Sequence, residues 1–357
     1  MALITGFPTD NPLLQGTALA DEMYGNKFGT VNFVAGNDRI FGLGGDDLIS
    51  GDGITIAANG KGGNDFIQGG EGGDTIYGDA TGSLFGIAGS DLLYQNAGTG
   101  TLVGDADTIG TGAAGGSDKL YGGGTLVGDA VEDMVSANGG NDLLDAASAT
   151  EETDLYGDTE GSLTGTALGG RDTLRGSSFA DAQFGDAGFE ITGAAKGGND
   201  TLSGGGGDDL LVGDATILAQ TAKGGNDSLG GGGGADLLYG DGTELSGFAT
   251  GGNDKLTGGS GDDQLWGDGE LIGPDASGGK DKFVFSGNFG DDQILDFRTE
   301  DGDQIVLQGL TELDVQLSII TVTDPNDSTL ITTLGDDSIT LVGFTGGLTP
   351  GVDIIFA

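Results

Sequence analysis

A variant of Gly-Gly-Asn-Asp recurs ten times in this 357-residue chain, beginning at residues 35, 62, 88, 115, 139, 169, 197, 224, 251 and 278. Successive starting positions differ by 27, 26, 27, 24, 30, 28, 27, 27 and 27. A period of that length restricts the chain to a solenoid, because a unit so short cannot bury its own apolar face and must bury it on its neighbours. Function then has to be read from what one repeat can offer.

One repeat divides into three nonapeptides. Residues 222–230 read Ala-Lys-Gly-Gly-Asn-Asp-Ser-Leu-Gly, and residues 231–239 read Gly-Gly-Gly-Gly-Ala-Asp-Leu-Leu-Tyr. Both place Asp at position 6 and an aliphatic residue at position 8. Residues 69–77 and 258–266 state the pattern more cleanly, with glycine at positions 1, 2 and 4. Such glycines permit positive φ, so that carbonyl oxygens can converge on a point beside the aspartate. The closing triplet reads as a very short strand with one side chain turned inward. The third nonapeptide differs. It opens Gly-Asp, lacks Asp at position 6, and carries its apolar residue near position 6 or 7, as Ile56, Leu84, Leu218 and Leu245 do. For its carboxylates (Asp52, Asp79, Asp214, Asp241 and Asp268 among them) the roles of turn-former and secondary ligand both stay open.

Composition removes whole classes of chemistry. There are no cysteines and no histidines, which excludes disulfides, thiol chemistry, Cys/His zinc sites and His-based triads. Lys+Arg number 12 against 57 Asp+Glu, for a net charge of −45. Only 11 of those acidic residues are Glu, so the charge sits on the short carboxylate, held close to backbone turns. That density repels itself unless something neutralises it. No basic stripe exists to meet nucleic-acid phosphates. Calcium is the fitting counter-charge, since it takes many hard oxygen ligands, carboxylates and backbone carbonyls included. No stretch approaches 18 apolar residues, so no membrane span is expected. The runs of glycine lack the Gly-Lys-Ser/Thr of a phosphate loop.

Gly-Gly-x-Gly-x-Asp-x-aliphatic-x resembles the calcium-binding nonapeptide of the repeats-in-toxin (RTX) family, across residues 35–284. The resemblance implies an all-β, right-handed parallel β-solenoid of the β-roll type, here with a 27-residue super-repeat of three nonapeptides and a C-terminal β-rich cap. It implies multiple Ca²⁺ ions held by Asp38, Asp47, Asp65, Asp74, Asp118, Asp142, Asp172, Asp200, Asp209, Asp227, Asp236, Asp254, Asp263 and Asp281. The loop glycines Gly69, Gly70, Gly72, Gly231, Gly232, Gly234, Gly258, Gly259 and Gly261 would present carbonyls to the same ions. In the family's roll one coil takes two nonapeptides, so loops separated by two nonapeptides become neighbours. Asp47 with Asp65, Asp209 with Asp227, Asp236 with Asp254 and Asp263 with Asp281 have that spacing. The resemblance therefore favours a two-sided roll of about 14 coils. The alternative closes a coil every three nonapeptides, about nine coils in all, and stacks like on like: Asp200, Asp227, Asp254, Asp281.

The middle of the array is worn. Gly100 stands where Asp belongs, residues 122–127 run short, and residues 146–156 run long. Calcium sites are therefore expected to cluster at 35–77 and 197–284. Residues 1–34 hold a weak repeat, with Asp21 and Met23 in phase, that would cap the first coil. After residue 284 the glycine beat stops and ordinary strand alternation begins, with a hairpin turn expected at Gly335-Asp-Asp337. Residues 285–357 resemble the cap and uncleaved carboxy-terminal signal of chains exported by type I secretion machinery. The plain alternative for the tail, residues 351–357, is an edge strand. The start, Met1-Ala-Leu-Ile-Thr, lacks the pattern of an amino-terminal signal peptide.

Two functions fit. The first is a secreted, non-enzymatic structural protein of the cell surface or extracellular space (surface layer, matrix, filament or adhesive), folding on Ca²⁺ outside the cell and able to form homo-oligomers or filaments. The second is a non-catalytic module assisting a separate secreted enzyme, such as a protease or a polysaccharide-modifying enzyme.

Overall fold

The structure is a computed structural model, and it describes residues 2–6, 13–26, 29–311, 315–318, 329–333, 337–344 and 346–357. Among the described residues every regular element is a strand. These strands lie in three sheets of 13, 15 and 10 strands, successive coils of the solenoid adding one strand to each. Residues 228–254 show one coil. Ser228–Gly233 lies in the 13-stranded first sheet, Leu237–Tyr239 in the 15-stranded second, and Glu244–Leu245 in the 10-stranded third.

Register fixes the length of the coil. Leu229 pairs in parallel with Leu202 and Leu256, Leu238 with Leu211 and Leu265, and Leu245 with Leu218 and Ile272. In every one of these pairs the partners stand a full super-repeat apart, so three nonapeptides close a coil and like stacks on like. This corrects the two-sided roll, in which two nonapeptides would close it. The physical reason is that the third nonapeptide makes its own sheet and its own core. Ala215, Leu218 and Ala222 are fully buried, and the equivalent residues of other coils pack with them in a side core. Ten strands at about 4.8 Å make that sheet roughly 45 Å long.

The main core lies between the first and second sheets. It is built from the position-8 residues, one per strand: Ile67, Leu93, Leu202, Leu229 and Leu256 from the first sheet, Ile76, Leu102, Leu211, Leu238 and Leu265 from the second. All are at most 2 % exposed, and each such side chain contributes about 1.5–3 kcal/mol on leaving water. Irregular steps are absorbed outside these rows. Leu120 pairs with Leu144 and Leu144 with Leu174, although the first step is shorter than a regular coil and the second longer.

Both ends continue the sheets. Met23 pairs with Ile49 and enters the main core, and Asp21 donates its N–H to Asp47 Oδ1 at 2.8 Å. Beyond the glycine beat, Lys282–Ser286 pairs with Gln304–Gln308, and that strand pairs with Ile354–Phe356, the last strand of the first sheet. The second sheet ends differently. Ser338–Leu341 pairs antiparallel with Thr329–Thr333, which pairs antiparallel with Val315–Ser318. Reversal of strand direction ends the coil-on-coil stacking there. The strands on either side of the expected hairpin turn pair, while residues 335–336 of the turn lie outside the described residues.

Candidate metal centre

The first stack of carboxylates lies at the glycine corner, between the first and second sheets. Asp236 Oδ1 accepts the N–H of Asp209 at 2.9 Å, Asp263 accepts that of Asp236 at 2.9 Å, and Asp47, Asp74 and Asp292 repeat the contact in their own coils. One oxygen of each is thereby used. The other, Oδ2 of Asp47, Asp74, Asp209, Asp236, Asp263 and Asp292, is buried and has no hydrogen-bond partner. The loop glycines divide the work. Gly70, Gly72, Gly232, Gly234, Gly259 and Gly261 have φ between 112° and 139°, the left-handed region that turns their carbonyls. Gly69, Gly231 and Gly258 are needed for space instead, since a Cβ there would run into the carboxylates of Asp74, Asp236 and Asp263.

A second stack runs where the chain returns from the third sheet to the first. Asp65 accepts the N–H of Asp38 at 2.6 Å, and the contact repeats through Asp91, Asp118, Asp142, Asp172, Asp200, Asp227, Asp254 and Asp281 to Asp303. It is unbroken. Facing it stand the Gly-Asp carboxylates, Asp52, Asp79, Asp105, Asp129, Asp158, Asp186, Asp214, Asp241 and Asp268, all at most 2 % exposed. The two motifs interlock. A Cβ on Gly51 would meet the carboxylate of Asp65, and a Cβ on Gly62 would meet that of Asp79. Asp38, Asp52 and Asp65 bring carboxylate oxygens within 4.8 Å of one another.

Burial and like charge act together on these groups. Loss of hydration is the leading cause in each case, pushing Asp52 up to about 6 and Asp281 up to about 9, with the Asp268 carboxylate adding to the latter. Asp227 and Asp254 are raised well above the usual carboxylate range, again by burial first. Protein cations do little to offset this. Asp38 aside, the only salt bridge among the described residues that reaches either stack or the facing Gly-Asp carboxylates is Arg298 to Asp268, at 3.8 Å. A buried carboxylate with neither counter-charge nor full hydrogen bonding is costly. Unpartnered carboxylate oxygens in two files, with turned backbone carbonyls at the glycine corner, make a donor set of hard oxygen alone. That set fits calcium.

All fourteen aspartates expected from the sequence are buried in one or other stack. The pairs separated by two nonapeptides are not stacked together. Asp209 stacks on Asp236 and Asp227 on Asp254, in different files, because the coil closes only after the third nonapeptide. Wear in the middle is confined to the glycine corner, where Gly100 and Gly124 pair in the register otherwise held by aspartates and Thr153 donates its hydroxyl to Asp181 at 2.7 Å. There the buried amides of Gln95 and Gln183 donate to the Gly72 and Ser203 carbonyls at 3.1 and 2.8 Å. Sequence reasoning missed both glutamines. Their signal is a polar residue at an inward-facing position, as Gln183 sits in register between Leu155 and Leu211.

Aromatic residues at position 9 pack on two of the sheets. Tyr239 and Trp266 stack at 4.4 Å on the second sheet beside Val212, whereas Phe41 joins Phe66 and Tyr94 on the first.

Fold and site together define a calcium-binding repeat protein built as a parallel β-solenoid. The family model described as RTX calcium-binding nonapeptide repeat (4 copies) matches residues 35–53, 58–81, 192–215, 221–242 and 248–270. The chain is thus a carrier of RTX hemolysin-type nonapeptide repeats, with the matched segments flanking the worn middle. No curated protein matches it.

Proposed function

We propose that this chain is a secreted, non-catalytic structural protein that crosses the cell boundary unfolded and folds when extracellular Ca²⁺ enters its two carboxylate stacks. The observation that carries the reading is the unbroken file from Asp65 to Asp303, buried and, among the described residues, bridged by no cation of the protein itself. In low calcium those carboxylates oppose folding. Binding to the folded form alone then stabilises it by mass action, so folding follows the metal. The strands of the described residues all join the three sheets of one solenoid, and an elongated body suits a surface layer, matrix or filament. Export by a type I system agrees with the resemblance of the tail, whose residues Ile354–Phe356 also serve as a sheet strand.

Circular dichroism and light scattering during one calcium titration test the reading. β structure should appear with calcium, and scattering should rise with or after it where the protein assembles. A full β spectrum in excess chelator at neutral pH would defeat it.

A further inference from the structure

The RTX nonapeptide has no place for the Gly-Asp pair, yet nine coils repeat it on the buried side of the return corner. We infer that the Gly-Asp aspartates and the Gly-Gly-Asn-Asp aspartates together form a second class of calcium site, carboxylate-lined on two sides and distinct from the glycine-corner sites. This deepens the calcium-binding reading and rests on it.

Three observations carry the assignment. First, a turn-forming aspartate needs only one oxygen. Asp214 Oδ1 accepts the N–H of Gly225 at 2.7 Å, and Asp79 Oδ2 accepts that of Gly89 at 2.8 Å. The remaining oxygens, Asp214 Oδ2 and Asp79 Oδ1, are buried without a partner, as is Oδ2 of Asp186 and Asp241. Second, the opposite file presents unpartnered oxygens to the same corner, namely Oδ2 of Asp65, Asp91, Asp200, Asp227 and Asp254. The glycine of each motif leaves the room that the other motif's carboxylate occupies, so the spare oxygens of both files share one space. Gly240 would clash with Asp254, and Gly224 with both Asp214 and Asp241. Third, the corner stays carboxylate-rich where the glycine corner has lost its aspartates. Asp118 and Asp142 keep a buried, unpartnered Oδ2 beside coils that carry Gly100 and Gly124, and Asp105 and Asp129 are buried opposite them, each accepting one glycine N–H across both oxygens.

Two carboxylates per coil match the charge of one divalent ion. A file of hard anionic oxygens selects Ca²⁺ over softer metals. The glycine corner, with one buried carboxylate per coil, has to draw more of its ligands from backbone carbonyls. The chain should therefore hold calcium in two populations, one of them running through the worn middle.

The test uses the full-length chain. Asp214→Asn with Asp241→Asn removes two negative charges and the unpartnered Oδ2 carboxylate oxygens while keeping a side-chain oxygen for the N–H groups of Gly225 and Gly252. Equilibrium dialysis with metal analysis should show one or more bound calcium ions fewer per chain than the unsubstituted protein. An unchanged stoichiometry and unchanged affinities would overturn the inference. Asp236→Asn at the glycine corner is the companion variant. Loss of calcium in Asp236→Asn alone defeats the second class and leaves the calcium reading intact, whereas no calcium bound by the unsubstituted chain defeats both. Should the double variant fail to fold, crystals of the unsubstituted chain grown in calcium decide the matter. Anomalous peaks between the two files support the second class, and peaks confined to the glycine corner refute it.

Discussion

The main-chain N–H of Gly225 donates to Asp214 Oδ1 at 2.7 Å, across a stretch of chain that leaves the main core, crosses the third sheet and returns. The same contact joins Gly63 to Asp52 at 2.9 Å and Gly198 to Asp186 at 2.6 Å. A Gly-Asp carboxylate therefore latches the neck of each third-sheet excursion. Asp214→Ala leaves the Gly225 N–H buried and unpaired, whereas Asp214→Asn keeps an acceptor. In saturating calcium the alanine variant should be less stable than the asparagine variant by about 1–3 kcal/mol, read from denaturant midpoints. Equal midpoints would show that the latch contributes nothing.

Glycine is required at the opening of the Gly-Asp pair for space rather than for conformation. A Cβ on Gly240 would run into the Gly267 carbonyl oxygen and the Asp254 carboxylate, both fixed in the stack. Gly240→Ala should lower stability by more than about 2 kcal/mol, since backbone must move to make room. Gly287→Ala is the control. Its φ is 71° and nothing lies within 4 Å of its added carbon, so only the strain of about 1–2 kcal/mol for a left-handed alanine applies. Thermal melts of the two variants in calcium should rank in that order.

The regular beat of the repeat was plain in the sequence, and so were the aspartates and the inward aliphatic residues. What the sequence left open was how many nonapeptides close a coil. Leu218 alone does not decide it, because one apolar residue in nine fits half a two-sided coil equally well. The decisive residues are small. Ala215 and Ala222 flank Leu218 and are fully buried, and together they supply a side core that a bare loop would lack. Alanine carries little hydrophobic signal, so this core is faint in any reading by apolar pattern. The pairing of Asp214 with the Asp227 file was hidden for a different reason. It depends on the path of the third sheet, which brings these two stretches of chain back to one corner.

Without metal, stability should rise as pH falls. Asp52 and Asp186 titrate at about 6 in the folded chain, Asp268 at about 7 and Asp281 at about 9, each raised by burial above the ordinary carboxylate value of 3.8. A carboxyl group whose folded value is raised binds more protons folded than unfolded. Its contribution to stability is full below about 4 and is lost as pH rises through the folded value. In chelator, β-sheet circular dichroism should therefore grow as pH is lowered from 9 towards 5. Saturating calcium should reverse the slope, because the ions compete with protons for the same oxygens. A metal-free spectrum that does not change over this range would count against buried, uncompensated carboxylates.

Trp266 is the single tryptophan of the chain, 6 % exposed and stacked on Tyr239 at 4.4 Å. It lies in the strand directly after the Asp263 loop, so its emission reports whether that part of the stack has formed. Calcium should shift the emission to shorter wavelength as the ring leaves water, with the same midpoint as the gain in β structure. Sodium chloride at equal ionic strength should not reproduce the change, since screening acts on exposed charge and hardly reaches buried pairs. Magnesium should be a poor substitute as well, because it demands near-ideal octahedral geometry and gives up its water reluctantly. Tyr239→Ala should keep the calcium-dependent shift and lose the ring contact, lowering stability by about 0.5–1.5 kcal/mol beyond the area exposed. An emission maximum that moves equally with sodium, magnesium and calcium would mean that the stack answers to charge screening alone, and the role assigned to coordinated calcium would fall with it.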